Sequence, residues 1–163
     1  MKPEDVPIFI VLSNPDLMGF CIDREAAGEP YEGKVGVGTV ILERVDKHDW
    51  EGKTIKEVIL KRWQFSWTMP EAGQTYYDKS VFMAKNLEAQ KEIDKALKES
   101  CDIAAGLIDG SIPRDPDLAA AHCCMYVNGQ YRQHLDAHPE IHGERWWQKM
   151  KLLKIIAKHE FYG

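Results

Sequence analysis

The chain has 163 residues, of which 44% are hydrophobic and 29% charged, and its formal net charge is −5. This length and composition are typical of one folded domain and exclude an extensively disordered chain. The pI near 5.7 argues against a nucleic-acid partner, because nucleic-acid-binding domains usually present a basic face. We therefore expect a single domain over residues 1–163.

The cysteine pattern does not predict a disulfide framework or a zinc ribbon. The chain contains Cys21, Cys101, Cys123 and Cys124, and no two of them form a CxxC pair. Free cysteine behaves as a small hydrophobic residue, so we expect four reduced and mostly buried thiols.

The N-terminal region does not resemble an export signal. Its apolar run, residues 6–12, is short, contains Pro7 and has neither a basic flank nor a cleavage site of small residues. No segment is long enough to cross a bilayer. We expect no membrane partner, and a protein that is kept in the cytosol unless something else releases it.

The first clear helix signal follows Asn14, a typical capping residue that precedes a proline. Leu17 and Phe20 begin an apolar stripe with helical spacing, and Gly28 is expected to end the helix. Glu25 continues the stripe in the last turn. This position predicts a carboxylate that faces the core or a cleft rather than open water.

The following elements also predict a mainly helical chain. Residues 31–45 are β-branched and contain glycines, a pattern that fits a buried strand or a buried helix, and we favour a central helix. Thr54 and Glu57 form a capping-box pattern, and residues 80–108 predict one long helix. An extended segment is expected to turn at Asn128-Gly129, giving at most a small β-hairpin.

A glutamate near a helix end is a candidate acid. Cleavage of a glycosidic bond requires a carboxyl that is protonated near neutral pH, and partial burial produces one. Glu25 fits this requirement, whereas Glu29 lies beyond the helix break. The pattern alone fits two solvated carboxylates better, although an acidic residue at a helix C-terminus is electrostatically disfavoured.

Residues 24–45 resemble the signature block of the SleB-like cell-wall hydrolases, a family of spore-cortex-lytic enzymes and phage endolysins. The most specific part of the match is the run Glu-Pro-Tyr-Glu-Gly at residues 29–33. Three further matches follow in the family's order: residues 64–66, 119–128 and 156–162. The resemblance covers roughly residues 17–67 and 100–163.

The resemblance implies an α+β, mainly helical, lysozyme-like domain of the lytic transglycosylase type that acts on peptidoglycan. It implies that Glu25 is the catalytic acid at the bond between N-acetylmuramic acid and N-acetylglucosamine. Groove residues implied by the matched motifs are Glu29, Gln64, Phe65, Ser66, His122, Tyr126 and Asn128. Tyr76 is added because aromatic faces suit sugar rings, although an exposed tyrosine without a role fits equally well.

Four positions depart from the family pattern. Arg24 replaces the family glycine and Ala27 replaces its arginine. Ala121 and Cys123 replace the threonine and tyrosine that flank the central histidine. These substitutions change the residues around Glu25 and the residues on either side of the central histidine of the matched motif.

The histidines suggest a competing metal interpretation. His134, His138 and His142 are spaced by four and could form a zinc site with His122 and the cysteines. Pro139 interrupts the helical spacing, and neither HExxH nor a paired CxxC motif is present. We therefore predict no metal and no cofactor, and we interpret His159 as a satisfied core histidine.

The resemblance leaves several biological roles open. We expect a monomeric phage endolysin that reaches peptidoglycan from the host cytoplasm, with access through a holin. The alternatives are a hydrolytic muramidase, a bacterial autolysin or germination hydrolase, and a non-catalytic wall-binding phage structural module.

Overall fold

The structure is a computed structural model that describes residues 8–163, apart from the side chains of residues 141 and 142. It confirms a mainly helical fold with a small sheet. The helices are α1 Ile8–Val11, α2 Asn14–Ala26, α3 Tyr31–Lys47, α4 Ile55–Leu60, α5 Gln74–Lys85, α6 Leu87–Ile93, α7 Lys95–Asp109, α8 Pro116–Ala120, α9 Gly129–Asp136 and α10 Pro139–His142. The strands are β1 Met125–Asn128, β2 Leu152–Ile156 and β3 His159–Tyr162.

Helix α2 places Glu25 in its last turn, as the sequence predicted. The capping residue is Ser13 rather than Asn14, because the Ser13 hydroxyl accepts the Asp16 N–H at 3.2 Å. The apolar stripe is fully buried, with Leu17 and Phe20 both at 0% exposure. Most of helix α2 is therefore buried in the core, and its C-terminal turn lies beside a cleft.

Helix α3 is the central buried helix that the glycine-rich segment predicted. Residues 33–44 are all buried. A Cβ atom at Gly36 would lie 2.9 Å from the Phe161 ring, and one at Gly38 would collide with Leu107. These glycines thus allow β3 and α7 to pack directly on the α3 backbone.

The predicted long helix over residues 80–108 is wrong, because the structure has α5, α6 and α7 in that region. Asn86 separates the first two, and its Nδ2 donates to the Phe82 carbonyl at 2.8 Å. Asp94 caps α7, where its Oδ1 accepts the N–H groups of Ala96 and Leu97. Asn and Asp side chains compete for backbone groups in this way and end helices that composition alone would continue.

Helix α4 begins with the predicted cap, in which the Thr54 hydroxyl accepts the Glu57 N–H at 3.1 Å. The helix is short and ends at Leu60. A few residues later Trp63 has φ 69, a left-handed conformation that no α-helix accommodates.

The sheet has the order β1-β3-β2 with both pairings antiparallel. The predicted turn at Asn128-Gly129 is wrong. Asn128 instead ends β1 and caps α9, and its Oδ1 accepts the N–H groups of Gln130 and Tyr131. The hairpin joins β2 to β3 through Ala157, which has φ 48.

The described residues contain no helix with the length and hydrophobicity needed to span a bilayer. The four cysteines are free and buried, as predicted. Among the described side chains, no three His, Cys, Asp or Glu residues are grouped to hold a metal ion. The side chain of His142, part of the zinc alternative, lies outside the described residues.

Candidate active site

The Glu25 carboxyl lies in a cleft of about 440 Å³ between the end of α2, the start of α5 and the sheet. Six of the nine site residues predicted from the sequence line this cleft: Glu25, Glu29, Ser66, Tyr76, Tyr126 and Asn128. They come from four separate segments of the chain. The fold therefore assembles most of the predicted groove around one carboxyl.

Burial raises the pKa of Glu25 from 4.5 to about 7. Removal of water disfavours the charged form of a carboxyl, and this effect exceeds the opposing influence of nearby donors and of the Arg44 charge. A carboxyl with this pKa is partly protonated at neutral pH. Glu25 can therefore donate a proton and afterwards hold a negative charge, as a general acid must.

Two aromatic side chains contact or approach this carboxyl. The Tyr126 hydroxyl donates to Glu25 Oε2 at 3.2 Å and helps lower the pKa of Glu25. Burial raises the pKa of Tyr126 well above 10, so this hydroxyl stays a neutral donor. The Trp67 indole N–H also acts to lower the pKa of Glu25, but it is buried and does not reach hydrogen-bond geometry with any described acceptor.

Glu29 lies in the same cleft, but its carboxylate already accepts a hydrogen bond from the backbone. Its side chain is only 5% exposed, and Oε2 accepts the Lys158 N–H at 3.1 Å. The Lys158 carbonyl in turn accepts the Gly129 N–H at 2.8 Å. These bonds fix the β2–β3 turn against the α2–α3 junction and the start of α9, so Glu29 helps build one cleft wall.

His159 stands beside Glu29 and is not the satisfied core histidine that the sequence suggested. Its ring is buried and packs edge-on against Tyr126 at 5.3 Å between centroids. Its Nδ1 has no hydrogen-bond partner among the described residues and lies 3.8 Å from Glu29 Oε2. Burial lowers the pKa of His159 although Glu29 opposes the shift, so the ring is neutral at pH 7.

Gln64 and Phe65 lie behind the cleft and do not line it. The buried Arg44 guanidinium donates to the Cys124 carbonyl at 2.7 Å and to Gln64 Oε1 at 3.2 Å. It also stacks over the Phe65 ring at 5.8 Å. Arg44 thereby ties the residue 64–66 segment to the start of β1 and sets the spacing between two cleft walls.

His122 lies outside the cleft, although its motif was among those matched. Its Nδ1 is 3.1 Å from Glu43 Oε2, and Glu43 Oε1 accepts Arg114 Nη1 at 2.6 Å. The side chain of His122 is 53% exposed. The motif thus places this histidine in a surface ion network at the far end of α3.

Six further residues line the cleft that sequence reasoning did not assign to it: Arg24, Ala26, Gly28, Val127, Lys158 and His159. Arg24 was noted only as a departure from the family pattern. Its guanidinium bonds the buried Asp23 carboxylate at 2.7 Å and stacks over Phe20 at 5.5 Å. No sequence signal marked Lys158, because its position depends on the hairpin turn.

A family model described as Cell Wall Hydrolase matches residues 28–162, a range that begins just after Glu25. No curated protein matches the chain. The catalytic domain of the Bacillus cereus SleB protein is 23% identical, with 92% of this chain and 89% of that chain covered and a TM-score of 0.50. The catalytic domain of the germination-specific lytic transglycosylase SleB from Bacillus anthracis is 23% identical, with 94% and 98% covered and a TM-score of 0.55.

These two likenesses confirm the mainly helical, lysozyme-like fold that the sequence predicted. At 23% identity they bear on the fold alone. The roles of individual cleft residues rest on the geometry of this chain.

Proposed function

The chain belongs to the cell wall hydrolase family and is a peptidoglycan-cleaving enzyme, and we propose that Glu25 is its catalytic acid in a lytic transglycosylase reaction. The observation that carries the proposal is the partly buried Glu25 carboxyl, which has a pKa of about 7 and opens into the cleft. The bond cleaved is that between N-acetylmuramic acid and N-acetylglucosamine.

The proposed reaction uses one carboxyl twice. Protonated Glu25 donates its proton to the glycosidic oxygen, and the bond from C1 of the muramoyl residue to that oxygen breaks. The N-acetylglucosamine end leaves with a hydroxyl group. The muramoyl 6-hydroxyl then attacks C1 and gives its proton to the Glu25 carboxylate, which closes a 1,6-anhydro ring and regenerates the acid.

Two nearby groups support the ionised intermediate state of Glu25. The Tyr126 hydroxyl already donates to Oε2, and the buried Arg44 guanidinium lowers the pKa of the same carboxyl. Both favour the carboxylate after the proton has left. Because they are held in place before the reaction, they need not reorganise during it.

The state of Glu29 favours the anhydro product over hydrolysis. A second carboxylate that activates water is the hallmark of many hydrolytic glycosidases. Glu29 is the other glutamate in the cleft, but its Oε2 accepts the Lys158 N–H and its side chain is nearly inaccessible. Glu25 is thus the carboxyl best placed to serve a sugar hydroxyl as base.

Digestion of purified sacculi tests the assignment of Glu25. The wild-type protein is expected to clear a sacculus suspension, and Glu25→Gln is expected to lose this activity because an amide cannot donate the proton. Glu92→Gln serves as the matched control, since it makes the same substitution at an exposed position outside the cleft. A fully active Glu25→Gln protein would refute the assignment.

Mass spectrometry of the released muropeptides tests the reaction type separately. A lytic transglycosylase leaves 1,6-anhydromuramic ends, whereas a muramidase adds one water to each cleaved bond. Reducing ends in place of anhydro ends would establish the hydrolytic alternative while leaving Glu25 as the acid.

The biological role is a further part of the proposal and rests on the family resemblance. The protein acts as a monomeric phage endolysin that accumulates in the host cytoplasm and reaches peptidoglycan after a holin opens the membrane. Expression in a bacterial host is expected to cause lysis only when a holin or chloroform is supplied. Lysis without membrane damage would instead fit an exported autolysin or germination hydrolase.

A further inference from the structure

Trp63 has an unusual combination of backbone and side-chain features. Its φ of 69 is left-handed, a conformation in which glycine is at ease and a bulky residue is strained. Its indole is also 63% exposed, so the ring gains little from burial. Backbone strain that is not compensated by burial of the side chain is typical of functional positions.

Trp63 lies close to the catalytic cleft along the chain. It precedes Ser66, a cleft residue, by three positions, so the two Cα atoms are at most about 11 Å apart. Its N–H donates to Met69 Sδ at 3.2 Å. This bond ties the Trp63 backbone to the residue that directly follows the Ser66–Thr68 turn, and Ser66 of that turn lines the cleft.

A second groove of about 390 Å³ begins on the other side of this turn. Ser66 and Tyr76 line the catalytic cleft, while their near neighbours Thr68 and Tyr77 line the second groove. Arg62 also lines the second groove, and its guanidinium stacks over the Trp63 ring at 5.4 Å. Trp63 is therefore in contact with a residue of the second groove and lies three positions before a residue of the catalytic cleft.

We propose that Trp63, held by Arg62, is an outer subsite that stacks on a sugar ring of the glycan strand beyond the cleaved bond. Arg62 covers one face of the indole, and the opposite face is the one that receives the apolar face of an N-acetylated hexose. A long strand then follows the path from Glu25 across the Ser66–Thr68 turn. This inference rests on the proposed action on glycan strands.

Binding to intact sacculi in a Glu25→Gln background provides the first test, because it needs no turnover. Trp63→Gly relieves the backbone strain and removes the ring. We expect this variant to melt at or above the temperature of its parent, yet to bind sacculi more weakly in cosedimentation. Trp63→Phe, which keeps an aromatic ring, is expected to retain most of the binding.

Kinetics with the catalytically competent protein provide the second test. For long glycan strands we expect Trp63→Gly to raise KM about tenfold with kcat little changed, since aromatic stacking of about 1.4 kcal/mol corresponds to that factor. The KM for a tetrasaccharide that fills only the catalytic cleft should not change. Phe82→Ala is the matched control, because Phe82 is a 61% exposed aromatic residue on a regular helix.

Unchanged sacculus binding and unchanged KM in Trp63→Gly would overturn the subsite. Equal losses in Trp63→Gly and Phe82→Ala would also overturn it, because they would show a general effect of surface aromatics. Failure of the proposed function has a different signature, namely an inactive wild-type protein or a fully active Glu25→Gln variant.

Discussion

The burial that raises the pKa of Glu25 should also lower the stability of the folded protein at neutral and higher pH. The variant Glu25→Gln tests this, because it removes the titrating group. The pKa of this carboxyl rises from 4.5 to about 7 on folding. The folded state therefore binds more protons than the unfolded chain between these values, and the free energy of unfolding falls as pH rises through that window. The full effect corresponds to about 3 kcal/mol, since a tenfold change in acid dissociation is worth about 1.4 kcal/mol.

An amide is neutral at every pH, so Glu25→Gln removes this dependence. We expect the variant and the wild type to have similar stability at pH 4.5, and the variant to be more stable at pH 8 by up to about 3 kcal/mol. Urea denaturation at the two pH values measures the difference. Glu92→Gln, at an exposed position on α6, controls for loss of charge alone. An equal difference at both pH values would refute the reasoning.

Two further substitutions probe the cleft and the core. Tyr126→Phe removes the donor that lowers the pKa of Glu25, so the alkaline limb of the kcat/KM profile should move up by about one pH unit. The control Tyr131→Phe should leave that limb in place. A downward shift in Tyr126→Phe would contradict the reasoning. Gly19→Ala places a Cβ 2.5 Å from the Cys101 Cα on α7 and should destabilise the fold by about 1–3 kcal/mol. Gly28→Ala, with no atom within 4 Å, should be near neutral in the same melting experiment.

Local sequence signals predicted the helices that carry the acid and the core. The apolar stripe of α2 placed Glu25 correctly, and the glycines of residues 31–45 indicated a closely packed central helix. Both predictions depend on periodicity within one element, which the sequence contains directly. The choice of Glu25 over Glu29 as the acid required the family resemblance, because the local pattern by itself fits two solvated carboxylates better.

Features that depend on contacts between distant segments were missed. The position of His159 beside Glu29 follows from the β2–β3 turn and the pairing of β3 with β1, neither of which has a strong local signal. The breaks at Asn86 and Asp94 were missed because side-chain capping competes with helix propensity at single residues. The motif around His122 misled for a similar reason, since its neighbours in sequence line the cleft while its own side chain turns away.

The contacts that build the cleft around Glu25 have a consequence for the order in which this region forms. The Tyr126–Glu25 hydrogen bond joins residues 101 positions apart, and the Glu29–Lys158 bond spans 129 positions. Closing such distant segments is slow compared with forming helices. Until the chain closes around it, the Glu25 carboxyl is exposed to water and ionised at neutral pH, because burial is what raises its pKa. On the proposed assignment of Glu25, we expect a partly folded chain to be inert toward peptidoglycan and activity to appear only once these segments have closed.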